Sequence, residues 1–244
     1  MSVPDREAVL DIIRRLKDGL SSVPVACPTA APDHAQVVLE PVTWRDADDP
    51  RAIALLAAWR GSANAFFPAQ FPVTLEGTHR WLAKQLLENH DRLLFWVRAP
   101  QGERIGHLGL YRFDFDDGSV ELDNVIRGVP NAVPGAMSSA VEALARWSFA
   151  VLRMRALFLR VLSDNARAIR LYEQYGFEET MRVPLVRAVE GDVVSWEPAG
   201  ADCRRPIDRY FVTMRRLAPA PSDHHALAAP NFSHRTRSRS RPGA

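Results

Sequence analysis

The chain has 244 residues, 47% hydrophobic and 25% charged, with a formal net charge of +2. That length and balance suit one large or two small globular domains and exclude wholesale disorder and collagen-like repeats. Residues 52–59, the longest apolar run, are too few to span a bilayer, and the first twenty residues are too charged for a signal peptide. Two cysteines, Cys27 and Cys203, build neither a disulfide scaffold nor a cysteine zinc site. The expectation is a soluble, cytoplasmic protein without a metal and without a membrane partner.

Taken in chain order, residues 3–20 carry Val9, Ile12, Ile13, Leu16 and Leu20 at helical spacing. This amphipathic helix either docks on a partner or packs on its own domain. Gly19 and a Ser/Pro-rich linker over 21–32 end it. From residue 37 strands and helices alternate. Strands are expected over 37–42, 93–98, 104–113, 120–127, 156–162, 177–183 and 209–217. Helices are expected over 51–60, 75–89 (capped by Thr74), 135–152 and 165–175, the last closed by Gly176. Asp117-Gly118 is a hairpin turn signal, and Glu190-Gly191-Asp192 looks like the turn of an added hairpin over 186–197. Three segments follow: 1–36 helix and linker, 37–217 domain, 218–244 tail.

Charge is uneven along this plan. The tail carries Arg235, Arg237, Arg239 and Arg241 against Asp223, a net of +3, so residues 1–217 carry −1. Such a body asks for no nucleic acid. The tail reads as a disordered, solvated segment; its His224-His225 pair and the Asn231-Phe232-Ser233 sequon read as composition. Only Lys17 and Lys84 are lysines, which we read as coding bias of a bacterial source.

Nucleophile elbows, zinc-protease helices, Walker loops and dinucleotide fingerprints are absent from the sequence. The stretch 128–137 instead joins a strand to a helix start. Free N–H groups of Gly135, Ala136, Met137 and Ser138 there, with the helix dipole, make an anion site for a phosphate or pyrophosphate. Further on, Asn165-Ala-Arg-Ala-Ile-Arg-Leu-Tyr-Glu-Gln-Tyr-Gly-Phe177 resembles the Asn-x-x-(Ala/Ser)-x-x-Leu-Tyr-x-x-x-Gly-Phe segment of the GNAT superfamily of N-acetyltransferases. The resemblance runs over about residues 37–217, and Phe66–Thr74 is similar to members acting on ribosomal-protein N-termini or aminoglycosides.

The resemblance implies a single α/β domain with a mixed, centrally splayed β-sheet flanked by helices, acetyl-CoA as donor and a primary amine as acceptor. It implies that Asn124, Val125, Ile126 and Arg127 offer backbone groups to the thioester arm. It places the pyrophosphate at Gly135, Ala136, Met137 and Ser138, and gives Asn165 a cofactor contact. Tyr172 becomes the acid that protonates the leaving thiolate, unless it is a core tyrosine. The family's phosphate loop, (Gln/Arg)-x-x-Gly-x-(Gly/Ala), survives here only at Gly135, with Ala132 and Met137 at the other positions and Pro134 bringing no N–H.

Glu121 and Asp123, two apart on a strand, share a face. They are a general base or an exposed edge pair, and His107 is a base or a structural histidine. Phe66, Phe67 and Phe71 stack on an acceptor ring or pack as loop residues. The expected acceptor is a small-molecule amine, such as an amino sugar or antibiotic-like metabolite. A protein N-terminus, or a non-catalytic acyl-CoA-binding module, is the alternative.

Overall fold

The computed structural model describes residues 4–20, 25–26, 37–130, 132–200 and 202–220. The basic tail from residue 221, with its histidine pair and sequon, and most of the linker lie outside the described residues. Among those described, β1 (Val25–Ala26), β2 (Val38–Pro41), β3 (Ala69–Gln70), β4 (Arg92–Arg98), β5 (Arg104–Asp114), β6 (Ser119–Arg127), β7 (Ala156–Leu162), β8 (Glu178–Glu190), β9 (Val193–Pro198) and β10 (Arg209–Leu217) form one sheet. Its order is β1-β2-β4-β5-β6-β7-β10-β8-β9-β3. Every neighbouring pair is antiparallel except β6 and β7, which run parallel. The helices are α1 (Arg6–Lys17), α2 (Trp44–Ala47), α3 (Pro50–Ser62), α4 (Leu75–Trp81), α5 (Ala136–Ala150) and α6 (Ala166–Gln174).

Strand β4 shows why helices cover both faces. Its side chains alternate, so Leu93, Phe95 and Val97 join one hydrophobic cluster while Leu94 and Trp96 join another. The first cluster holds Val9, Ile13 and Leu16 of α1 and the apolar stripe of α5. The second holds Leu56 and Trp59 of α3 together with Leu82, Leu86 and Leu87. The amphipathic helix α1 thus packs on its own domain. Asp5 caps it, accepting from the N–H groups of Glu7 and Ala8 at 3.0 and 3.2 Å.

Two local features depart from the sequence reading. The helix expected over 75–89 starts at its Thr74 cap, where the side chain accepts from the Gly77 N–H at 3.0 Å, but widens into a π-helix over Leu82–Leu87. The wider turn keeps Leu82, Leu86 and Leu87 on the sheet side. The short elements α2 and β3 were not anticipated. Helix α2 is organised by Asp46, which accepts from the Thr43 N–H at 2.8 Å, from Trp96 Nε1 at 3.1 Å and from Arg104 at 2.7 Å. Strand β3 exists because the chain leaving α3 reaches the far side of the sheet and pairs Ala69 with Ser195 and Gln70 with Val194.

Lys17 closes the end of the π-helix. Its ammonium donates to the carbonyls of Leu86 at 2.7 Å and Leu87 at 3.4 Å, and also to that of Asn89. Burial lowers its pKa to about 8, so it is charged at neutral pH. Lys17→Met keeps the aliphatic stem and removes these donors. Unfolding stability should fall by about 1–3 kcal/mol in urea denaturation, the usual cost of orphaning buried acceptors; an unchanged midpoint would show that water replaces the ammonium.

Candidate active site

The parallel pair at the sheet centre is short. β6 and β7 pair only at Ser119–Ala156, Val120–Leu157 and Glu121–Phe158, and then diverge. A bulge at Asn124, where φ is +51°, shifts the β5–β6 register between His107 and Gly109. The imidazole of His107 holds it, donating from Nδ1 to the Asn124 carbonyl at 2.8 Å. Burial lowers His107 to about pKa 4. It is neutral, lies outside the cleft lining and is a structural histidine rather than a base.

The divergence opens a cleft of about 640 Å³. Its lining brings together Glu121, Asp123, Val125, Ile126 and Arg127 from β6, Gly135, Ala136, Met137 and Ser138 from the start of α5, and Asn165 and Tyr172 around α6, as expected from the sequence. Past Glu121, among the described residues, β6 no longer pairs with β7, which leaves room beside Leu122 to Ile126 for an extended amide-bearing ligand.

At the start of α5, Gly135 adopts φ +74°, a left-handed geometry that side chains rarely take, which is why a glycine stands there. The Ala136 N–H does not point outward as expected; it donates to the Val133 carbonyl at 3.2 Å. Among the described residues Met137 and Ser138 keep amides without a backbone acceptor. Met137 does not block them, because its thioether lies over Gly106, where a Cβ would come within 2.9 Å of it. Arg167 and Arg170 also line the cleft. These groups fit the amide arm and phosphates of a coenzyme A thioester. Asn165 caps α6, its side-chain oxygen accepting from the Ala168 N–H at 3.3 Å.

The carboxylate pair is not at an exposed edge. β6 stands mid-sheet, and Glu121 is only 5% exposed. One Glu121 oxygen accepts from Arg160 Nε at 2.9 Å, and the other from Arg112 at 2.8 Å. Burial, reinforced by the Asp123 charge, pushes its pKa up to about 7, with Arg112 pulling the other way. Asp123 is tied to Arg92 and accepts from Asn124 Nδ2 at 2.7 Å. Of the two carboxylates, Glu121 is thus the one whose pKa is raised into the range a general base needs.

Tyr172 is both core and cleft. Its ring packs edge-on to Phe177, with centroids 5.8 Å apart, inside the larger cluster. Burial, then the Asp123 charge, raises its pKa above the ordinary tyrosine value, so the hydroxyl stays protonated. Phe66 and Phe67 line the cleft, whereas Phe71 turns away beneath Arg60.

Sequence reasoning missed Trp59, Arg160 and Phe211, which also line it. Arg160 had left one signal, as the lone charge in an otherwise apolar β7. Trp59 lies against the backbone of Gly128, where a Cβ would sit 2.1 Å from the indole.

A family model described as an acetyltransferase (GNAT) domain matches residues 36–178. The chain belongs to the GNAT acetyltransferase family. It is an acyl-CoA-dependent N-acetyltransferase, moving an acetyl group to an amine. Similar solved structures agree with the GNAT fold. Spermidine N-acetyltransferase from Vibrio cholerae in complex with CoA and spermine is 16% identical, with a TM-score of 0.56 over 74% of this chain and 95% of that one. A probable GNAT acetyltransferase from Chromobacterium violaceum is 21% identical, with a TM-score of 0.56 over 81% of this chain and 88% of that one. No curated protein matches the chain. Among the described residues no group of His, Cys, Asp or Glu is arranged to hold a metal, and no helix is long and apolar enough to cross a membrane.

If Glu121 serves as the base, its raised pKa predicts a defined pH signature. A carboxylate base acts only when deprotonated, so activity should fall as pH drops through about 7. The acceptor amine titrates in every variant. Below about pH 7, log(kcat/KM) should therefore carry one more unit of slope in the wild type than in Glu121→Gln, and Glu121→Gln should be slower by roughly 10²–10⁴ at its best pH. Parallel profiles would remove Glu121 from the proton path.

Proposed function

We propose that the enzyme acetylates a primary amine on a small molecule, with acetyl-CoA as donor, in the cytoplasm of a bacterium. The observation that carries the acceptor class is the roof of the cleft. The segment from Asn64 to Gln70 leaves α3 and pairs with β9, and its Phe66, Phe67 and Pro68 line the cleft on the side to which we assign the acceptor. A covered end suits a small amine better than a peptide chain. The spermine bound to the Vibrio cholerae neighbour supports an amine of that size, alongside amino sugars and antibiotic-like amines.

In this reading the thioester arm extends along the open edge of β6 through Val125, Ile126 and Arg127, and the pyrophosphate meets the amides of Met137 and Ser138. Gly135 and Ala136 shape that turn, and Asn165 borders the arm. Glu121 takes a proton from the amine as its nitrogen bonds to the thioester carbonyl carbon. The carbon–sulfur bond then breaks, with Tyr172 donating a hydrogen bond to the departing sulfur. Because its pKa is raised, Tyr172 keeps its proton, and the thiol receives the one Glu121 took, relayed through water.

A panel of spermidine, amino sugars, aminoglycosides and short peptides, assayed for released CoA thiol, tests the acceptor class. Turnover of peptides alone would overturn it. Tyr172→Phe removes only the donor, since among the described residues the hydroxyl has no protein partner to strand. We expect kcat to fall by roughly 10²–10³, with acetyl-CoA affinity by calorimetry and melting temperature nearly unchanged. A lower melting temperature with unchanged turnover per folded molecule would make Tyr172 a core residue only.

A further inference from the structure

The roof is held at its two ends by different means. On the far side, β9 pairs with β3, and the Trp196 N–H donates to the Pro68 carbonyl at 2.8 Å. On the near side the connection is made by side chains: Gln70 donates to the Ala65 carbonyl at 3.2 Å, and most of the remaining contacts run through one residue. Arg60, in the last turn of α3, donates to Asn64 Oδ1 at 2.7 Å and to the Ala69 carbonyl at 2.7 Å. Its guanidinium also lies over the rings of Phe67, at 3.9 Å, and Phe71, at 4.9 Å. Asn64 continues the chain of contacts, donating from Nδ2 to the Phe71 carbonyl at 3.1 Å. One planar cation thus ties the beginning, middle and end of the segment together. A lysine has neither the fork nor the flat face to do so.

Arg60 does not line the cleft, but Phe67 and Phe66 do. We infer that Arg60 is a positioning residue for the acceptor: it fixes the Asn64–Phe71 segment over the acceptor end of the cleft and so sets the affinity for the amine without touching the donor end. Burial lowers its pKa only to about 10, so the cation persists throughout the working pH range. The donor groups, the β6 edge and the start of α5, lie outside this network. Loosening the segment therefore changes one substrate and not the other. This inference rests on the proposed small-amine acceptor only for its kinetic consequence; the ordering of the segment by Arg60 is independent of it.

Arg60→Ala, Arg60→Lys and Asn64→Ala in the full chain provide the test. Asn64→Ala removes a partner from the segment while leaving α3 intact, and serves if the arginine variants do not fold. Hydrogen exchange followed by mass spectrometry needs no acceptor. Amides over 64–71 should exchange at least about tenfold faster in the variants, with β6 and α5 unchanged. Acetyl-CoA affinity should stay within about twofold. With whichever of spermidine, glucosamine or an aminoglycoside turns over, KM for the amine should rise about tenfold or more while kcat stays within about threefold. Arg60→Lys should not rescue. Unchanged exchange over 64–71, or acetyl-CoA affinity falling in step with the amine KM, would overturn the inference. If a short peptide alone is acetylated, the small-amine reading falls, and Arg60 still stands or falls on exchange and on KM for that peptide.

Discussion

The site depends on the early separation of β6 from β7. A parallel pair that continued to the ends of both strands would satisfy its own peptide groups and leave no room between them. Here pairing stops at Glu121, and the bulge at Asn124 turns the rest of β6 away. The left-handed φ at Asn124 is unfavourable for a residue with a side chain, and the hydrogen bond from buried His107 to the Asn124 carbonyl offsets that cost. His107 itself packs against the mutually contacting rings of Trp59 and Trp96, at 6.0 and 6.5 Å. The opening at the sheet centre is thus fixed from behind, by packing on the face opposite α5.

Electrostatics in the cleft follow from this enclosure. Two carboxylates on one face of β6 would repel each other in a low-dielectric setting. Three guanidiniums, from Arg92, Arg112 and Arg160, are arranged around them from three different strands or strand ends. Arginine recurs in such roles throughout the fold, often with its guanidinium over a ring: Arg104 over Trp96, Arg92 over Tyr111, Arg209 over Trp196. A delocalised cation tolerates partial burial better than an ammonium. Lys17 is the instructive exception, where a compact charge meets three converging carbonyls at a helix end.

The Asn64–Gln70 segment, where we place the acceptor, belongs to neither half of the splayed pair. A two-residue strand is too short to be stable by itself. β3 persists because the edge of β9 offers it partners and because Arg60 and Asn64 hold the preceding turn. The added hairpin of β8 and β9 accordingly anchors this segment against the cleft. The two ends of the cleft thus rest on separate supports, the sheet core for one and a surface segment for the other.

What the sequence determined by itself is what local chemistry encodes. The Asn165–Phe177 segment placed α6, its cap and Tyr172, and the resemblance it carries led to the family. The apolar run of β4, the Thr74 cap and the Asp117-Gly118 turn are likewise readable within a few residues. Other features became visible only when distant parts of the chain met. Arg92 reaches Asp123 across 31 positions, and Arg160 reaches Glu121 across 39, so neither the pairing nor the raised pKa of Glu121 has a local signature. The π-helix, the bulge and β3 belong to the same class. Each is unfavourable or marginal locally and is stabilised by burial, by His107 or by the edge of another strand, and those partners exist only in the folded chain.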